Sequence, residues 1–125
     1  MSGPQARAKF PTRKISETFL DFAEPLLAPL GPQASQQEME GALQIAFTVW
    51  NSAVYDAVQG SSRWVSQVRN SAANAPDPGV LMLVEHMIAR KRSRFGDDQR
   101  LIGEYKFVRR DGELRLRAEA KTPYR

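Results

Sequence analysis

Glu104 and Lys106 flank Tyr105 in a stretch where apolar and polar residues alternate, so on a strand the carboxylate and the ammonium share one face. Glu119 falls alongside them when the chain is folded back on itself, and Asp97 and Asp98 precede the strand. Two carboxylates and a lysine so placed can hold Mg²⁺ with water and phosphate oxygens, the chemistry of metal-dependent nucleases. Against this, the preceding acids are too close in sequence to occupy a paired strand. A charged strand also produces such a triplet by chance. A solvated ion-pair face explains the same residues without any reaction.

Arg90, Lys91, Arg92 and Arg94 end one helical pattern, and Arg100, Lys106, Arg115 and Arg117 follow in the alternating region. Together they predict a basic surface able to contact DNA, RNA or an acidic partner. The competing reading is a helix end whose cations complement the macrodipole, next to a mixed-charge sheet. His86 is the only histidine and adjoins Glu85, so a general base is conceivable there, although a lone helical histidine is usually structural. Trp50, Tyr55 and Trp64 sit at spacings that fill a core before they line a ligand pocket. Ser61, Ser62, Asn51 and Ser52 read as cap and helix-surface residues. No residue set calls for a cofactor.

The elements that must position these groups change character at Asp97-Asp98. Upstream the apolar period is helical, and downstream Leu101 to Thr122 alternate around Asp111-Gly112. Asp-Gly between alternating runs is a hairpin signal, because a two-residue primed turn needs positive φ at its centre. With that turn, Arg110 faces Glu113, Arg109 Leu114, Phe107 Leu116, Tyr105 Ala118, Gly103 Ala120 and Leu101 Thr122, mostly apolar. The opposite face pairs Val108 with Arg115, Lys106 with Arg117, Glu104 with Glu119 and Ile102 with Lys121. Its directly opposed like charges are offset if the diagonals Glu104–Arg117 and Lys106–Glu119 pair.

Four helices are predicted ahead of the hairpin. Ser16 caps the first, with Phe19, Phe22, Ala23 and Leu26 inside and a kink or restart at Pro25. Residues 35–58 form the central one, opened by the Ser35/Glu38 capping box, apolar on most sides and closed by Gly60. A third begins at Ser61 or Ser62 and ends near Ala72, burying Trp64, Val65 and Val68. Asp77-Pro78 opens the fourth, which buries Leu81, Val84, Met87, Ile88 and Phe95 and stops at Gly96.

The fold class is therefore α+β, about four helices packed around residues 35–58 with a C-terminal antiparallel β-hairpin over residues 100–122. Residues 1–13 read as a flexible basic arm and 14–125 as a single domain. At 125 residues, 42% hydrophobic and 26% charged, the chain suits one soluble domain. It has no cysteine, which excludes disulfides and thiolate metal sites and suits a reducing compartment, so the cytoplasm is the expected location. The start carries no apolar signal-peptide core, and no run nears the roughly 18 apolar residues of a membrane span, so no membrane partner is expected. Charge is dipolar: +4 over residues 1–14, −4 over 15–76 and +4 over 77–125.

Without a catalytic motif, the expected function is that of a non-enzymatic accessory or adaptor protein. It would act through protein–protein contacts and self-associate through an open hairpin edge. Nucleic-acid binding by the basic face is the alternative, and a small Mg²⁺-dependent nuclease the third reading.

Overall fold

The computed structural model describes residues 13–111 and 113–122. Apart from Arg13, the basic arm lies outside them. Helix α1 spans Ile15–Leu27 and passes into a 3₁₀ turn at Ala28–Leu30. Then come α2 (Gln36–Gln59), α3 (Arg63–Ala73), α4 (Gly79–Arg94), β1 (Leu101–Arg110) and β2 (Glu113–Lys121). Among the described residues the order is that of an α+β fold, four helices followed by an antiparallel hairpin.

Helix α2 is central because it is apolar on most sides: Leu43, Ala46, Trp50 and Val54 are all buried. It touches α1, α3, α4 and β1. The capping box forms as expected, with Ser35 Oγ accepting from Glu38 N–H at 3.0 Å and Glu38 Oε1 accepting from Ser35 N–H at 2.9 Å. Gly60 ends the helix with φ +67°, left-handed geometry that a side chain disfavours. The α2–α3 corner then depends on one buried carboxylate. Asp56 accepts from Ser61 Oγ–H and from the main-chain N–H groups of Trp64 and Val65, so a residue of α2 caps α3.

Helix α1 differs from expectation at two points. Lys14, not Ser16, precedes its first residue, because burial of Ile15 in the core draws that residue into the helix. Nor does the helix stop or restart at Pro25. Proline has no N–H to give Asp21 O four residues back. Arg90 of α4 supplies the missing donor instead, bonding Asp21 O at 2.8 Å and Phe22 O at 3.1 Å.

The hairpin follows the expected register from Arg110↔Glu113 to Glu104↔Glu119. Asp111 has φ +56°, as the first residue of a primed turn requires. Beyond Glu104 the register slips by one, Ile102 facing Ala120 and Leu101 facing Lys121. Gly103 is the extra residue. A Cβ there would lie 2.6 Å from Lys121 Cδ, so the bulge places glycine where the Lys121 stem crosses the strand. The slip also corrects the predicted faces: Ile102, assigned to the charged side, is 1% exposed, and Leu101 is buried beside it.

The cause lies on α2. Asn51 donates Nδ2–H to Ile102 O at 2.9 Å and accepts Ile102 N–H on Oδ1 at 2.8 Å, taking the place of a third strand at that residue. Trp50 Nε1–H bonds Arg100 O at 2.7 Å, and Tyr105 O–H bonds Gln44 at 3.2 Å. Arg109 reaches Pro32 O and Ala34 O ahead of α2. Phe19 and Phe47 meet the Tyr105 ring at centroid distances of 5.4 and 5.3 Å, closing the core beneath the sheet. No helix among the described residues is long and apolar enough to cross a membrane.

Candidate interaction surface on the hairpin

The eight cations singled out in the sequence do not share one surface. Lys91 is 4% exposed, and its ammonium donates to Phe95 O at 2.7 Å and Asp98 O at 2.9 Å, 4.4 Å from the centre of the Trp50 ring. Burial pulls its pKa down to about 8, with Asp98 and Asp97 acting in the opposite direction. Arg90 repairs α1 as described above. Arg100 is clamped on the buried Asp98 carboxylate through Nε (2.9 Å) and Nη2 (2.6 Å), and that hydrogen bonding raises its pKa. These three hold the fold together and present little charge outward. Arg92 and Arg94 are exposed on the last turn of α4, and Arg92 lines a pocket of about 230 Å³ with Asp56, Ser61 and Lys91.

Lys106, Arg115 and Arg117 do come together on the outer face of the hairpin, joined there by Arg110 next to the turn. Lys106 stands across from Arg117, and Val108, 51% exposed, across from Arg115. The diagonal pairs Glu104–Arg117 and Lys106–Glu119 are not within 4 Å; among the described residues the ribbon's ion pair is Arg115–Glu113, at 3.5 Å and exposed. Most charges of the outer face are thus left without an ion-pair partner within 4 Å among the described residues.

Glu104, Lys106, Arg117 and Glu119 line a pocket of about 350 Å³ with Ser16, Tyr105 and Ala118. Neither Asp97 nor Asp98 lines it, and Asp98 is buried under Arg100. Among the described residues no three Asp, Glu or His side chains converge on a metal position. His86 is exposed on α4. Trp50 fills the core, and Tyr55 packs on Trp64 at 5.9 Å.

The outer edge of β1 is the second feature of the hairpin. In a two-residue hairpin the pair flanking the turn exchanges both main-chain hydrogen bonds, and such pairs alternate along the ladder. Counting from Arg110↔Glu113, the N–H and C=O groups of Val108, Lys106 and Glu104 point to β2. Those of Tyr105, Phe107 and Arg109 point away. The Ile102 groups also point away, and Asn51 takes both.

Among the described residues the sheet has two strands, so none of them pairs with this edge. It runs instead along an open groove of about 580 Å³ between residues 103–108 and the Gln36, Glu40, Gln44 and Phe47 side chains of α2. Burial raises the Tyr105 pKa, so its phenol stays a neutral hydrogen-bond donor beside this groove. Comparison with protein-family models, curated proteins and solved structures yields no match.

Proposed function

We propose that the chain is a non-enzymatic accessory protein that acts by protein contact, with the outer edge of β1 as its working surface. The observation that supports this is the row of outward main-chain groups at Tyr105, Phe107 and Arg109, set over an open groove. A bare strand edge is a template for strand addition, in which main-chain hydrogen bonds supply affinity and the groove selects side chains. Cytoplasmic action belongs to this reading, and the cysteine-free composition suits it.

The test is capture of partners from the native host with and without nuclease, followed by amide exchange on the purified complex. The expected result is a nuclease-resistant complex in which the Tyr105, Phe107 and Arg109 amides become protected. A complex that leaves these three amides exchanging freely refutes the edge as the working surface.

A second reading is favoured by the outer face, where Lys106, Arg110, Arg115 and Arg117 cluster around Val108. A two-stranded ribbon fits the major groove of DNA, and cations facing phosphates give steeply salt-dependent binding. Replacing Arg115 and Arg117 together by alanine should then lower the slope of log K against log salt by about two. Absence of DNA or RNA retention at low salt ends this alternative.

A further inference from the structure

We infer that the β1 edge receives β1 of a second copy of this chain, antiparallel about a two-fold axis through Phe107. The inference rests on the strand-accepting edge proposed above and names its occupant. The usable edge is bounded on both sides: the bulge at Gly103 and the Asn51 bonds to Ile102 end it at one side, and the turn at Asp111 ends it at the other. Residues 104–110 remain, and their midpoint is Phe107.

Antiparallel self-pairing about a residue can use Tyr105, Lys106, Phe107 or Val108 as its centre here, and three of these fail. An axis through Val108 opposes Lys106 to Arg110, like charges, and sets Tyr105 against Asp111 of the turn. An axis through Lys106 sets Lys106 against Lys106, like charges directly opposed. An axis through Tyr105 opposes Glu104 to Lys106, which is favourable, but it sets Arg109 against Leu101, past the Ile102 groups that Asn51 already holds. An axis through Phe107 uses every outward group. Tyr105 then pairs with Arg109 of the second copy, Phe107 with Phe107, and Arg109 with Tyr105, closing a narrow pair of hydrogen bonds at each.

On the outer face the same register brings Glu104 opposite Arg110 of the second copy, twice by symmetry. It also covers each exposed Val108 with the stem of a Lys106. Glu104 has no cation within 4 Å among the described residues and faces Glu119 within its own chain, so the second copy supplies the opposite charge its own sheet lacks. The product is a four-stranded sheet in the order β2–β1–β1–β2, with Gln36, Glu40, Gln44 and Phe47 of α2 beneath the junction.

The cysteine-free sequence allows a direct test in the whole chain. Lys106→Cys protein is mixed with Val108→Cys protein under mild oxidation, because residues 106 and 108 of the two copies form a non-hydrogen-bonded pair within disulfide reach. The expected result is a covalent dimer containing one chain of each kind, from a solution whose Tyr105, Phe107 and Arg109 amides gain protection as concentration rises. Glu104→Lys should weaken dimerisation about tenfold, since two opposite-charge pairs become like-charge pairs, while leaving the monomer folded. Adding Arg110→Glu should recover much of that loss.

A strict monomer at high concentration overturns the inference, as does a dimer that cross-links through Glu104→Cys with Lys106→Cys, the Tyr105-centred register. If the chain is monomeric yet a native partner protects the same three amides, only the identity of the occupant falls. If no complex protects them, the edge reading falls as well.

Discussion

Replacing Lys91 by methionine should flatten the alkaline rise of stability that the buried ammonium creates. Lys91 is 4% exposed, between two main-chain carbonyls and the Trp50 ring, and burial lowers its pKa from 10.5 to about 8. Between those two values the unfolded chain still carries the proton and the folded chain has released it. Stability therefore rises with pH across the window, is complete above the unfolded pKa, and is lost as pH falls through about 8. The full span is about 3 kcal/mol at roughly 1.4 kcal/mol per pH unit, and about 2 kcal/mol of it lies between roughly pH 7.5 and 9.5.

The assay is urea unfolding of wild type and Lys91→Met at several pH values, taking the difference between them. Subtraction removes the opposing contribution of Tyr105, whose raised pKa makes the folded chain hold its proton longer and so lowers stability above pH 10. The methionine also loses the two carbonyl bonds, but that loss offsets the curve without tilting it. A difference that stays level across the window would falsify the account, because the carbonyls and the indole would then be compensating fully for desolvation.

Other substitutions probe the joints between elements. Asn51→Ala strands both Ile102 main-chain groups and should cost about 2–3 kcal/mol, with exchange at the base of the hairpin accelerating before that of α2. Ser35→Ala removes the capping box and should cost about 1 kcal/mol in thermal or urea unfolding. Arg90→Met should destabilise wild type by about 1–3 kcal/mol but cost less alongside Pro25→Ala, where a restored N–H can serve Asp21 O. Equal costs in the two backgrounds would separate Arg90 from the proline.

What could be read in the sequence was local. Ser35/Glu38, Gly60, Gly96 and Asp111-Gly112 each act within a few residues, and the change of hydrophobic period at Asp97-Asp98 marks the helix-to-strand boundary directly. The bulge at Gly103 was not legible, because Asn51 imposes it from 51 positions away. Lys91 looked like one more cation at a helix end, and only the packing of Phe95, Asp98 and Trp50 around it shows an interior group. The outward position of Val108 was legible from the alternation, but the open diagonals Glu104–Arg117 and Lys106–Glu119 were not, because register does not fix how far long side chains reach. The position of the hairpin at the end of the chain was plain; which of its edges and faces are left unpaired depends on helices far away in sequence.

The Asp56 carboxylate has a mechanical consequence. Since it belongs to one helix and caps the next, the elbow at residues 60–62 cannot swing open without stripping α3 of its first-turn acceptors. Inserted peptides or new chain termini should be poorly tolerated there, and much better tolerated in the exposed stretch of residues 76–78. Any relative movement of the helices must pivot at that second connection or at residues 31–34, leaving α2 and α3 to travel as one bent rod.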